Sequence, residues 1–232
     1  MPEGNFFHYD QAAVDHLARK DKKLAAAMLA IGPIRREVMP DLFQALMHAI
    51  TGQQISMAAQ RTVWGRLCGL LGEVTPQALL AQPQTALQAL GLSARKVDYM
   101  RGIARQVVEG KLDLPGMAAL EDAEVCRRLA ALRGIGVWTA EMLLLFSLQR
   151  PDILSYDDLA IRRGLRMLYR HKEMPRERFE RYRRRFSPYG SVASLYLWAI
   201  AGGALPGLDD PAECKKGRSR PAVCLKRTVT KD

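Results

Sequence analysis

Along most of the chain the apolar positions recur at the three-to-four spacing of an amphipathic helix. No stretch alternates apolar and polar residues as a half-buried strand would. The first pattern runs from about Asp10 to Ile31, with Leu17, Leu24 and Met28 on one face. Asp41 after Pro40 caps a helix whose apolar side is Phe43, Leu46, Met47 and Ile50. The pattern breaks at Thr51-Gly52-Gln53-Gln54, and Ser56 opens a helix bearing Ala59, Val63, Leu67 and Leu70. Thr75-Pro76 has the cap-then-proline signature of another start. Ser93 begins a helix with Val97, Met100, Ile103 and Val107, and Asp122 one with Val125, Leu129 and Leu132. Gly134 and Gly136 end the latter and turn the chain into Val137 to Leu148, which is apolar nearly all round and therefore predicts a central buried helix. Pro151 and Asp152 break it, and Asp157 or Asp158 starts a helix running to Tyr169. A basic helix over Pro175 to Phe186 and a last apolar helix ending at Gly202-Gly203 follow. From about Asp209 the residues are polar, basic and interrupted by proline, which predicts a loosely ordered tail over 209–232. The fold class predicted is all-α.

Composition changes this picture in two ways. A chain of 232 residues with 48% hydrophobic and 25% charged residues can bury a sizeable core. Its 35 Lys and Arg against 24 Asp and Glu leave a net charge of +11, which favours a polyanionic partner. The four cysteines, Cys68, Cys126, Cys214 and Cys224, match neither a Cys-x-x-Cys motif nor a disulfide framework and are expected to be reduced, as in the cytoplasm. The N-terminus lacks the features of a signal peptide, and the apolar runs Met142 to Leu148 and Val192 to Ala201 are too short for a bilayer, so no membrane role is expected. His8, His16, His48 and His171 have no ligand-spaced partners.

Chemistry enters at Leu132-Arg133-Gly134-Ile135-Gly136-Val137-Trp138-Thr139-Ala140. Glycines between two helices leave backbone N–H groups uncovered, and the helix that follows directs its N-terminal N–H groups and dipole at the turn, a ready anion site. An ordinary helix corner reads the same way until Asp157-Asp158 is added downstream. Together, Leu132 to Ala140 and Ser155-Tyr156-Asp157-Asp158-Leu159-Ala160-Ile161-Arg162-Arg163-Gly164 resemble the helix-hairpin-helix and catalytic-Asp segments of the base-excision DNA glycosylase superfamily. Ile50 to Ser56 and Gly91-Leu92-Ser93-Ala94-Arg95-Lys96 resemble its 3-methyladenine glycosylase II, or AlkA-type, branch. The resemblance covers roughly residues 40 to 200.

The resemblance implies two helical lobes with a cleft between them. One spans 40–150 and ends in the hairpin; the other combines 1–39 with 151–208. The β-rich N-terminal domain of AlkA-type enzymes is expected to be missing. It also implies a monofunctional hydrolase that flips alkylated bases out of double-stranded DNA and cleaves their N-glycosidic bond, N3-methyladenine chiefly. Asp158 would be the catalytic carboxylate, with Asp157 the alternative. Trp138, Trp198, Tyr156 and Met142 would line the base pocket with Leu159, where AlkA has an aromatic residue. Gln53, Gln54 or Ile55 would be the DNA wedge. Gly134, Gly136 and Thr139 would meet phosphate at the hairpin. From the residues themselves, Arg95 and Lys96, just inside a helix start, and Arg162 and Arg163 are further phosphate candidates, while Arg176 to Arg185, laced with Glu177 and Glu180, reads first as a solvated helix. The bifunctional relatives' nucleophilic lysine is replaced by Trp138, which argues against a lyase step. The cysteine spacing departs from the iron–sulfur motif of the endonuclease III and MutY branches, so no cofactor is expected beyond a monovalent cation on the backbone of Leu132 and Gly134. A monomer is the default. Another lesion class, or a non-catalytic DNA-binding module, stays open.

Overall fold

The computed structural model describes residues 5–213. Among these there is no strand, only an isolated antiparallel bridge between Phe6 and Glu37. Helices α1 (Gln11–Lys20) and α2 (Lys22–Ile31) replace the single early helix that periodicity predicts. The cause is Asp21, which ends α1 in an extended conformation while its carboxylate accepts the N–H groups of Lys23 and Leu24 to start α2. Then come α3 (Leu42–Gly52), α4 (Met57–Leu71), α5 (Pro76–Ala81), α6 (Gln84–Ala89) and α7 (Ala94–Val108), capped where predicted by Asp41, Ser56, Thr75 and Ser93. A short 3-10 turn at Pro115–Ala119 leads to α8 (Asp122–Ala130), the glycine turn and α9 (Val137–Phe146). The last helices among the described residues are α10 (Leu159–Tyr169), α11 (Arg176–Phe186) and α12 (Gly190–Ala201).

Two packings place the chemistry. α8 and α9 lie against each other across the turn, with Val125, Leu129, Leu132, Ile135, Leu143 and Leu144 buried between them and their neighbours. α10 packs along α12, and a Cβ on Gly164 would strike the backbone of Leu197, so the two helices approach as closely as a bare glycine allows. α9 is central as predicted, but its first turn emerges: Val137 and Trp138 are about half exposed.

Residues 209–213 correct the expected start of a loose tail. Asp210 is buried and paired with Arg166, and it accepts the N–H of Ala212. The Arg166 guanidinium beside it holds the Asp210 carboxyl below the usual carboxylate range. The remainder of the predicted tail, 214–232, lies outside the described residues.

Candidate active site

Asp158 is the N-cap of α10. Its Oδ1 accepts the Ile161 N–H at 2.8 Å, the ordinary work of a capping aspartate. Two further donors are not ordinary. The Trp138 indole N–H reaches Oδ2 at 3.0 Å, and the Trp198 indole N–H reaches Oδ1 at 3.1 Å. Trp138 arrives from the second residue of α9, directly after the glycine turn. Trp198 arrives from α12, stacked on Phe146 with ring centroids 5.5 Å apart and planes at 26°. The close α10–α12 approach at Gly164 helps bring the second indole within reach. A carboxylate only 7% exposed thus has both oxygens matched by N–H donors, which offsets the cost of holding it away from water. Asp157, beside it, is exposed.

In the hairpin, Gly134 has φ +89°, and a Cβ there would fall on the Tyr99 ring. Ile135 is buried, with its N–H on the Leu132 carbonyl. Gly136 begins α9 with no side-chain cap, so the first N–H groups of that helix have no side-chain partner, as an anion site requires. Thr139 lies one turn in, half-buried. The Gly134 carbonyl accepts the Gln53 amide at 2.7 Å. Since the Leu132 carbonyl is engaged as well, a cation here would have only the second lone pairs of these two oxygens.

The turn between α3 and α4 is therefore tied to the hairpin by Gln53, which points inward. Gln54 stands next to it with φ 57°, a left-handed conformation at the tip, and Ile55 beyond it is 40% exposed. Lys96 also turns inward: its ammonium donates to the Thr51 carbonyl at 2.8 Å, and burial lowers its pKa. Arg95 remains exposed. Arg163 faces Asp210 and Glu213.

A cavity of about 820 Å³ opens between α3, α7 and α9. Trp138, Met142, Phe146 and Tyr99 give it an aromatic and apolar wall; Gln54, Gln60 and His48 give it polar groups. Asp158 does not line it; the Trp138 indole does, and touches Asp158. Of the expected pocket residues, Trp138 and Met142 are on this wall and Trp198 lies behind Phe146. Leu159 sits 72% exposed at the start of α10. Tyr156 is elsewhere, edge-on to Phe179 with centroids 5.2 Å apart and flanked by Arg162 and Arg176.

Sequence reasoning missed Phe146, Tyr99 and Glu141. The first two look like core residues on their helices and become cavity wall only through packing. Glu141 interrupts the apolar run of α9, a signal that was present. It accepts the hydroxyl of the fully buried Ser155, three residues before Asp158, and burial pushes its carboxyl pKa up. His48, whose pKa burial lowers, contacts Gln60 and meets Trp64 edge-on at 5.0 Å. Among the described residues, no three His, Cys, Asp or Glu side chains group to hold a metal, and no helix is long and apolar enough to cross a membrane. Cys214 and Cys224 lie outside the described residues.

Residues 47–188 match the model of the HhH-GPD superfamily of base excision DNA repair proteins. The chain is 30% identical to DNA-3-methyladenine glycosylase 1 of Schizosaccharomyces pombe, over 79% of this chain and 84% of that one. It is also 30% identical to DNA-3-methyladenine glycosylase 2 of Escherichia coli, over 70% of this chain and 58% of that one. The fold matches a crystal structure of a DNA-3-methyladenine glycosidase from Bacillus halodurans with a TM-score of 0.77 and 34% identity, covering 85% and 93% of the two chains. A structure of the S. pombe 3-methyladenine DNA glycosylase in complex with abasic DNA matches with a TM-score of 0.73 and 29% identity, covering 84% and 98%.

Proposed function

Because the chain belongs to the HhH-GPD superfamily of base excision DNA repair proteins, we propose that it is a monofunctional DNA glycosylase that hydrolyses the N-glycosidic bond of alkylated bases, N3-methyladenine foremost, in double-stranded DNA. The observation that carries this reading is the buried Asp158 carboxylate held by two indole N–H groups beside an aromatic cavity. A base methylated at N3 or N7 carries positive charge and leaves without strong acid assistance. What remains is an oxocarbenium-like sugar, and a fixed anion stabilises it. Asp158, with its oxygens already accepting N–H donors, suits that electrostatic role and can orient the attacking water. The electron-rich faces of Trp138 and Phe146 suit a cationic, flipped base.

In this reading the duplex lies across the cleft between a lobe of 40–150 and a lobe of 1–39 with 151–208. The uncapped N-terminus of α9 takes a phosphate, and Gln54 fills the gap left by the flipped nucleotide. Hydrolysis needs no amine nucleophile, consistent with the indole at position 138, and no cofactor. The names of the relatives support the substrate class. The test is release of free base from duplex DNA treated with a methylating agent. Release of N3-methyladenine is expected. DNA binding without release of any methylated base would move the reading to another lesion class, or to a binding module.

A further inference from the structure

We propose that Arg162 and Arg176, laid against the ring of Tyr156, form a second site for a backbone phosphate of the DNA, separate from the N-terminus of α9. The identity of the anion rests on the glycosylase reading; the cationic pair does not. Arg162 lies one turn into α10, its N–H on the Asp158 carbonyl, about 6 Å along the helix from the candidate catalytic residue. Its guanidinium carbon is 4.9 Å from the Tyr156 ring centroid. Arg176, at the start of α11, is 5.0 Å from the same centroid, and Phe179 meets the ring edge-on at 83°.

Acidic partners do not account for this pair. On α10, Arg163 and Arg166 are matched by Asp210 and Glu213. Arg162 has no ion pair among the described residues, and its Nε is buried without a hydrogen-bond partner. Arg176 approaches Glu180 only to 3.8 Å, while Glu180 is held by Arg183 at 2.8 Å. Glu141 is within electrostatic reach of Arg176. Its carboxyl, however, is engaged by Ser155 and shifted toward the neutral form by burial. Two guanidinium groups on one ring repel each other, and a bound anion offsets that cost. Stacking on tyrosine also orders both planar forks beforehand, which favours bidentate phosphate binding.

The experiment measures the affinity for a duplex carrying an abasic-site analogue across a range of salt concentrations. Each phosphate deprived of its arginine lowers the slope of log K against log salt by about 0.9. The paired variant Arg162→Ala with Arg176→Ala takes both guanidinium groups from the one phosphate and should lower it by about 0.9. The paired Arg162→Lys with Arg176→Lys keeps the charges and should keep the slope. Arg181→Ala, on α11 and 4.0 Å from Glu177, should leave it unchanged. An unchanged slope in the alanine pair, an equal drop in Arg181→Ala, or a drop in the lysine pair would each overturn the proposal. If the alanine pair does not fold, the exposed Arg176→Ala alone should lower the slope by part of that, up to about 0.9, and no change would overturn the site. Base release from methylated DNA by the unaltered protein, measured alongside, separates the two readings. A slope effect without release removes only the glycosylase activity; release without a slope effect removes only this site.

Discussion

Replacing Asp158 with asparagine separates charge from shape. The amide is nearly the size of the carboxylate, so its oxygen can keep the Ile161 and Trp198 donors now on Oδ1. Its NH2 group must then face the Trp138 N–H in place of Oδ2, and one charge-assisted hydrogen bond is lost. Such a bond contributes about 1.5–3 kcal/mol. The Trp138 side is partly open, with that residue 46% exposed, so its N–H can turn to water and the cost should lie at the lower end. A loss of a few degrees in Tm is expected. The catalytic cost is larger. A unit charge about 4 Å from an oxocarbenium centre, at an effective dielectric of about 20, contributes about 4 kcal/mol. That corresponds to roughly a thousandfold in rate. The assay is single-turnover release of N3-methyladenine from duplex DNA, with anisotropy on an abasic analogue to follow binding. Binding should hold or tighten, since a negative charge near phosphate has been removed. Release within tenfold of the unaltered protein would refute the electrostatic argument. A parallel loss of binding would make Asp158 a structural cap and no more.

Gly134→Ala combines a φ of +89° with a collision on Tyr99, and backbone strain of this kind costs about 1–3 kcal/mol. DNA affinity by anisotropy should fall about tenfold, whereas Gly136→Ala, with a negative φ and open space around it, should cost less; equal effects would exclude the steric cause. Lys96→Met removes the donor to the Thr51 carbonyl and should destabilise by about 1 kcal/mol in urea titrations without altering the salt slope of DNA binding; a drop of about 0.9 would mean that the ammonium meets phosphate instead. Burial raises the folded-state pKa of Glu141 above its unfolded value, so the unfolded chain ionises first and the protein loses stability as pH rises from the usual carboxylate range through the folded value. Glu141→Gln should therefore gain stability relative to the unaltered protein between pH 4 and pH 8 in urea titrations, and an identical pH dependence of the two would contradict the burial argument.

What was legible in the sequence was local. Caps at Asp41, Ser56, Thr75, Ser93 and Asp158, and the glycine turn, are written within three or four residues of the groups they serve. Asp21 was equally local but lay inside a continuous apolar period, which hid the break between α1 and α2. The site was not local. The two indoles that hold Asp158 lie 20 and 40 residues from it, and Gln53 meets Gly134 across 81 residues. Residue type alone suggested that Lys96 and Arg163 would face phosphate. In the fold Lys96 donates to the carbonyl of Thr51, and Arg163 faces Asp210 and Glu213, which lie in the segment that composition described as a tail.

The Gln53 amide on the Gly134 carbonyl has a kinetic consequence. It joins the tip carrying Gln54 to the turn that opens α9, whose first N–H groups have no side-chain cap, and so fixes the spacing of these two parts in the folded chain. A protein that inspects many sites must position its probe at each one. Were the two parts independent, every encounter would repeat the entropy loss of aligning them. On the proposed reading, with Gln54 as the wedge and the start of α9 as the phosphate site, that loss is taken once, at folding, and each new position along a duplex is sampled by a tool already in register.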